Sequence, residues 1–300
     1  MNRVIKIGSR DSLLAVAQTK LVMERIQKSH PELTLELVTM KTTGDRILNQ
    51  SLEQIGGKGL FVKELDLALL HGKIDLAVHS LKDMPMELPE ELPFAAFFER
   101  GDPRDALVLP CSYAAAEKPL LPNKIGSSSA RRRLQLKQLF QTAEVANVRG
   151  NIITRIQKLD AGEYDALVLA AAGLQRAGLT QRISRYFSTE EIIPAAGQGI
   201  LAVQCRKRET FPFLNDINCP ISTAAALAER EFVRTLNGGC TSPVAAYAQI
   251  HGNELRLTGL YYRENKGDFF TSRLAGSMDQ ARQLGSRLAE AMSKEAELRP

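Results

Sequence analysis

Ile74-Asp75-Leu76-Ala77-Val78-His79-Ser80-Leu81-Lys82-Asp83-Met84-Pro85 reads as an apolar strand that breaks off into groups able to carry charge and move protons. Ile74, Leu76 and Val78 suit a strand buried in a parallel sheet, and ligands of such sheets gather beyond the carboxyl ends of the strands. His79 to Asp83 stand where that ligand would be met. Asp83 alone is also consistent with a plain turn before Met84-Pro85, because Asp favours turns and a residue preceding proline avoids the helical region.

Upstream of this strand, Phe61, Leu65, Ala68 and Leu69 keep helical spacing as far as Gly72, a C-terminal stop. Residues 3–7 alternate as a strand, Gly8-Ser9 predicts a turn, and Ser12 predicts the cap of a helix with Leu14, Ala17 and Leu21 on its apolar side. Residues 33–38 read as the next strand. Between them and Phe61, residues 41–59 carry Gly44, Gly56, Gly57 and Gly59 with little periodicity, which predicts a long loop and a candidate lid that includes Lys58 and Phe61.

The chain then repeats itself. Lys6-Ile7-Gly8-Ser9 recurs as Lys124-Ile125-Gly126-Ser127, and Leu69-x-x-Gly72-Lys73-Ile74-Asp75 is echoed by Leu159-x-x-Gly162-Glu163-Tyr164-Asp165 before another apolar strand. The order of the two echoes predicts two α/β modules of one kind, although βα units also converge on such patterns. Residues 99–105, rich in charge and containing Gly101 and Pro103, predict one crossing between the modules, and residues 193–199 a second, after which residues 200–203 return as a strand to the first. Beyond Pro220 the pattern changes. A helix with Ala225, Ala228, Phe232 and Leu236 inward, strands near 244–250 and 254–261, and a last helix with Ala281, Leu284, Leu288 and Met292 on one face predict a smaller α+β domain. The expected divisions are residues 1–98 with 198–217, residues 102–193, and residues 218–300.

Composition bounds the function. Three hundred residues, 44% of them apolar, suffice for large cores in two or three domains. No apolar run approaches a membrane span and the first ten residues lack the apolar stretch of a signal peptide, so the expectation is a cytosolic protein without membrane contact. Cys111, Cys205, Cys219 and Cys240 are scattered without paired spacing, which points to neither a disulfide scaffold nor a metal site. Net charge is +5, yet 34 acidic residues are interspersed with 39 basic ones, which favours local anion sites over a surface that coats a polyanion.

The anion site has candidates. Ser127-Ser128-Ser129-Ala130-Arg131-Arg132-Arg133 runs from a strand end into the first turn of a helix, where cations are disfavoured unless an anion is bound. A solvated basic face is the plainer alternative, and at 100° per residue Arg133 at least must point elsewhere. Arg149-Gly150-Asn151 repeats the theme ahead of a helix holding Arg155; Arg176 follows a third strand, and Arg10 holds the matching place in the first module. Arginines at strand ends around one cleft suit a ligand with several carboxylates, which guanidinium forks bind two atoms at a time. No Walker sequence and no Gly-x-Gly-x-x-Gly follows a strand, so nucleotide binding has no positive support. Cys240, after Gly238-Gly239, is either a small buried hydrophobe or a thiolate that holds something covalently.

Six blocks carry a family resemblance: Gly56-Gly57-Lys58-Gly59-Leu60-Phe61, His79-Ser80-Leu81-Lys82-Asp83, Asp102-Pro103-Arg104-Asp105-Ala106, Arg149-Gly150-Asn151, Ala196-Gly197-Gln198-Gly199 and Gly238-Gly239-Cys240. In this order, nearly end to end, they resemble the porphobilinogen deaminases, or hydroxymethylbilane synthases, of tetrapyrrole biosynthesis. Ser127 in place of a common Thr, Arg133, and Thr241-Ser242 after the cysteine depart from the pattern without touching a residue that carries the chemistry.

The resemblance implies two α/β domains of the type II periplasmic-binding-protein kind around a cleft and a third, smaller α+β domain. It implies a dipyrromethane cofactor joined by a thioether to Cys240 and met by Lys82, Asp83, Ser128, Ser129, Arg131, Arg132, Arg149 and Gly150. Porphobilinogen, bearing acetate and propionate, would be met by Arg10, Ser12, Arg155, Gly173, Arg176 and Gln198. Its aminomethyl group leaves as ammonia, the free α-carbon of the bound chain attacks the resulting methylene-pyrrolenine, and water releases the linear tetrapyrrole after four additions. Asp83 would stabilise the cationic pyrrole nitrogens and assist proton transfer. No metal, nucleotide or nucleic acid is implied, and a monomer is expected. Two rivals come from other classes: a receptor for small anions, whose usual secretory signal the sequence lacks, and a nucleic-acid binder using Arg131 to Arg133, whose binding would collapse with salt.

Overall fold

The echo between the two modules is built into their hydrogen bonds. The computed structural model describes residues 3–42, 62–115, 122–239 and 242–298. In the first module β1 (Val4–Arg10) is followed by α1 (Leu13–Ser29), β2 (Thr34–Met40), α2 (Lys63–Leu70), β3 (Leu76–Ser80) and β4 (Phe94–Phe97). In the second, β5 (Asp105–Val108), β6 (Lys124–Gly126), α3 (Ala130–Leu139), β7 (Glu144–Ala146), α4 (Ile152–Asp160), β8 (Ala166–Ala170), α5 (Ala171–Arg176) and β9 (Arg185–Tyr186) follow, and β10 (Leu201–Cys205) returns to the first. The Asp75 carboxylate accepts from the Lys6 amide at 2.8 Å while the Asp75 amide donates to the Lys6 carbonyl at 2.8 Å. Asp165 does the same to Lys124, at 2.8 and 2.9 Å. Each aspartate thereby locks the start of the third parallel strand to the first.

The two sheets have one topology. The first has the order β2-β1-β3-β10-β4 and the second β7-β6-β8-β5-β9. In each, three strands are parallel, and the fourth position is taken antiparallel by the strand that has just crossed from the other module, β10 against β3 and β5 against β8. The crossings are therefore strands of the sheets they enter. This is the two-module α/β architecture expected, with the carboxyl ends of the parallel strands facing the helix N-termini at Ser12, Ser129 and Asn151.

Two elements differ from what their sequence predicts. Gly8-Ser9 is not a turn: β1 continues to Arg10, pairing Gly8 with Val38 and Arg10 with Met40. The glycine serves close packing, since a methyl at Gly8 would lie 2.4 Å from Ile74 Cδ1 and 2.9 Å from Leu65 Cδ2. The buried face of α1 is Gln18, Thr19, Val22 and Ile26, not Leu14, Ala17 and Leu21. Thr19 can face inward because its hydroxyl donates to the Ala15 carbonyl, and Leu14 turns instead toward α5 of the second module.

The third domain is a three-stranded antiparallel sheet, β11 (Ala245–His251), β12 (Glu254–Arg263) and β13 (Asp268–Ser277), covered by α6 (Pro220–Thr235) and α7 (Ala281–Leu298). Ala225, Ala228 and Phe232 of α6 and Ala281, Leu284, Leu288 and Met292 of α7 are buried, as their spacing predicts. Their core is continuous with Leu81, Phe97, Ala196, Ile200 and Ala202, so the third domain packs on the first and on the second crossing. The fully buried Glu229 joins these parts. It accepts from the Arg100 guanidinium at 2.6 Å, the Gly197 amide at 2.7 Å and the Ala248 amide at 2.7 Å.

Candidate functional site

Beyond β3 the chain makes one tight turn, Leu81–Asp83, whose ends are fixed by fully buried Leu81 and Met84. With both ends anchored, Lys82 and Asp83 must project outward; Asp83 is exposed and Lys82 half-buried. The carboxylate of Asp83 acts across the cleft on Arg155 and along the turn on Lys82. Burial pushes the Lys82 ammonium down to about 8, with Arg131 and Arg132 adding to the effect against Asp83 and Asp105. Arg155 is likewise pushed down to about 10, first by burial and then by the neighbouring charges of Arg132 and Arg149. Cations that weaken one another's hold on a proton form an electrostatic site for anions.

Local sequence explains how these groups are held. Ser129 caps α3, accepting from the Arg132 amide at 3.4 Å, and Asn151 caps α4, accepting from the Thr154 amide at 3.0 Å. Ser128 bridges the β6 and β7 segments, its hydroxyl bonded to both the amide and the carbonyl of Val148. Gly150 has φ +112°, and a methyl there would lie 2.7 Å from Thr154 Cβ, so the backbone between Arg149 and α4 requires glycine. Arg155 Nε donates to the Gly150 carbonyl at 2.8 Å, which holds the guanidinium against the start of α4.

The arginines at the start of α3 answer the sequence argument differently from the expectation. Asp105, fully buried at the start of β5, accepts from Arg131 Nη1 at 2.7 Å and from Arg132 Nε and Nη2 at 2.9 and 2.7 Å. Burial alone would raise this carboxyl, but the two guanidinia hold it well below the usual range. The fold therefore supplies part of the anion that the helix start demands, from a residue the sequence reading left in the crossing. Removing one partner of such a buried ion group typically costs about 3–5 kcal/mol. Arg131 Nε and Arg149 Nε are buried without a partner among the described residues, so capacity for a further acceptor remains. Arg133 turns away to Asn147, as its position on the helix requires.

The remaining candidates divide. Arg10 ends β1, and Ser12 caps α1 by accepting from the Ala15 amide at 3.3 Å. Gly173 faces Leu14 and Ile152 where α5 meets α1. Arg176 donates to the Gly199 carbonyl at 2.6 Å, and Gln198 donates to the Pro103 carbonyl at 2.6 Å and to Asp105 at 3.0 Å, so both hold the crossings. Lys58, Phe61 and Cys240 lie outside the described residues, as does nearly all of the candidate lid. Among the described residues no group of His, Cys, Asp and Glu has the arrangement of a metal site, and no helix is long and apolar enough to cross a membrane.

His79 is buried, and its ring bonds Gln204 Oε1 at 3.0 Å. Burial pushes the imidazole down to about 4, outweighing that hydrogen bond, and the charge of Arg10 adds to the effect. It is a neutral core residue. Below pH 6.5 the unfolded chain takes up a proton that the folded one refuses until about pH 4, so stability falls across that window on acidification, by on the order of 3 kcal/mol. Asp66, pushed up to about 6 by burial against a hydrogen bond from Gln204, titrates over an overlapping range with the opposite sign. The check is therefore a difference. The stability of wild type minus that of His79→Gln, from denaturant melts, is expected to fall between pH 6.5 and 4; a constant difference would show that the folded ring takes up its proton as readily as the unfolded one.

Comparison with known proteins identifies the family. The family model "Porphobilinogen deaminase, dipyromethane cofactor binding domain" matches residues 5–211, and "Porphobilinogen deaminase, C-terminal domain" matches residues 223–294. The chain belongs to the porphobilinogen deaminase family. The porphobilinogen deaminase of Ruminiclostridium josui is 52% identical over 96% of this chain and 97% of its own length. That of Acetivibrio thermocellus is 49% identical over 98% and 99%, and that of a Nostoc species 44% identical over 98% and 92%. Among solved structures, the effector domain of the regulator AmpR of Pseudomonas aeruginosa overlaps with a TM-score of 0.42 at 15% identity, covering 77% of this chain and 98% of that one. As a porphobilinogen deaminase, the chain is a transferase that deaminates porphobilinogen and links it into hydroxymethylbilane on a dipyrromethane cofactor.

Proposed function

We propose that Asp83 is the catalytic carboxylate of this deaminase and that the surrounding cations hold the carboxylates of cofactor and substrate. The observation that carries the reading is one carboxylate projecting from the end of β3 toward Lys82 and Arg155, with Arg131, Arg132 and Arg149 behind them. A dipyrromethane fits that surrounding, because its acetate and propionate groups are anions for a cluster in which Arg132 and Arg149 crowd Arg155 and in which Arg131 Nε and Arg149 Nε lack acceptors among the described residues. When bound, that cofactor supplies a free α-carbon from which the pyrrole chain grows. Lys82, Ser128, Ser129, Arg131, Arg132, Arg149 and Gly150 would hold it, with Cys240 as its covalent anchor, and Arg10, Ser12, Arg155, Gly173, Arg176 and Gln198 would serve the incoming porphobilinogen.

In this reading the Asp83 carboxylate accepts the pyrrole N–H of the reacting ring. As the aminomethyl C–N bond breaks and ammonia departs, positive charge spreads onto that nitrogen, and a fixed negative charge beside it lowers the barrier. After the new C–C bond forms, the same carboxylate is the nearest base for the proton that leaves the α-carbon. Residues 41–59, with Lys58 and Phe61, would cover the reaction. The reading keeps the divisions at residues 1–98 with 198–217, 102–193 and 218–300, and a cytosolic monomer.

Arg149→Leu and Arg155→Leu test the anion pocket. Each is expected to impair cofactor assembly or chain elongation, while the melting temperature changes little because neither guanidinium has a carboxylate partner within the described fold. Loss of a charged hydrogen bond or two to the ligand is worth about 1.5–3 kcal/mol each, or roughly ten- to a hundred-fold in binding per bond. A variant that melts much earlier yet elongates normally once folded would assign that arginine to the scaffold.

A further inference from the structure

The turn that presents Asp83 is held from outside its own domain. Arg230, on the α6 face that packs toward β4, is 9% exposed and points its guanidinium at three consecutive carbonyls after Asp83. Nη2 donates to Pro85 at 2.5 Å and Met86 at 3.0 Å, and Nη1 reaches Met84 at 3.5 Å. The guanidinium carbon lies 5.2 Å from the Phe94 ring centroid, so the fork is stacked as well as bonded. Residues 84–86 belong to no helix or strand, so no ladder or helical amide is set to donate to their carbonyls. An arginine fork can satisfy several at once and fix their direction.

The same helix runs on toward Gly238 and Gly239, the residues before Cys240. Its C-terminal turn is closed by Gly238, whose amide donates to the Val233 carbonyl at 2.9 Å. Arg230 thus ties the segment bearing the carboxylate to the helix that leads to the cofactor anchor. We propose that Arg230 is a positioning residue for the condensation, fixing the direction in which the turn presents Asp83 through the Met84, Pro85 and Met86 carbonyls. The proposal rests on the role assigned to Asp83 above.

A double-mutant cycle separates this from a structural role, which would move stability without coupling to Asp83. The proteins are wild type, Arg230→Gln, Asp83→Asn and the double variant, each purified with its covalent cofactor verified by mass, and the readouts are kcat and KM for porphobilinogen. A misplaced reacting group costs up to about 10²-fold, so Arg230→Gln is expected to lower kcat by about 10- to 10²-fold with KM little changed. In the Asp83→Asn background the same change should cost less than about 2-fold, because the group being positioned is gone. Arg230→Lys, which keeps the charge but replaces the fork with a single donor point, should fall between, and it carries the same cycle if Arg230→Gln does not fold. Losses that multiply, or undiminished kcat in Arg230→Gln, would overturn the positioning role alone. Near-normal turnover by Asp83→Asn would overturn the Asp83 assignment and the proposal with it.

Discussion

Asp83→Asn is expected to fold normally and to turn over porphobilinogen at least about 10²-fold more slowly. The fold tolerates the change because Asp83 is exposed and its turn is held by buried Leu81 and Met84 and by Arg230, none of which depends on the carboxylate. The chemistry does not. Asparagine keeps the shape and an acceptor oxygen but neither the charge that opposes a developing pyrrole cation nor a site that can take a proton near neutral pH. General acid–base work by itself contributes about 10²–10⁴-fold, and the electrostatic part adds to it. Removing this negative charge also leaves Lys82 and Arg155 with less to hold their protons. Steady-state turnover of the cofactor-loaded variant decides; a rate within a few-fold of wild type would take Asp83 out of the mechanism.

What the sequence made legible is what local chemistry enforces. Asp75 recurs as Asp165 because the same pair of bonds, one to the carboxylate and one from the amide, starts the same strand, so the two modules show in the text of the chain. Asp83 and the arginines stood out because charge at strand ends and helix starts needs a counter-charge, from a ligand or, as at Arg131 and Arg132, from the fold itself. What stayed hidden depends on partners far away in sequence. β4, β5 and β9 are short, and β5 gains its place only by pairing with β8 and β9 after the crossing; β13 is known by its ladder to β12. Asp105 looked like one more charge in a charged connection, although the excess of cations at Arg131 to Arg133 was a signal that a buried counter-ion was needed. Arg230 gave no signal at all, since nothing in a helix sequence tells that one arginine faces three carbonyls of another domain. The polar inward face of α1 misled the periodicity because Gln18 and Thr19 are satisfied internally, Thr19 by the carbonyl of Ala15 and Gln18 by the hydroxyl of Ser80.

Cys240→Ser is expected to abolish the covalent cofactor. Attachment needs a nucleophile that attacks an electrophilic pyrrole methylene near neutral pH. A free thiol is already a few per cent thiolate there, whereas a serine hydroxyl is almost wholly protonated. The other cysteines are poor substitutes for separate reasons. Cys205 is buried in the core of the first module, where burial pushes its thiol further up; Cys111 is exposed in the turn that follows β5; and Cys219 sits half-buried at the start of α6. Wild-type protein incubated with porphobilinogen should therefore gain the mass of two pyrrole units, and Cys240→Ser should keep the mass of its sequence while retaining the wild-type fold. Without the primer, no chain can be started, so turnover should fall below detection, a larger loss than that expected for Asp83→Asn. Peptide mapping of the wild-type adduct locates the bond. An adduct on Cys205, or an increment that persists in Cys240→Ser, would move the anchor elsewhere.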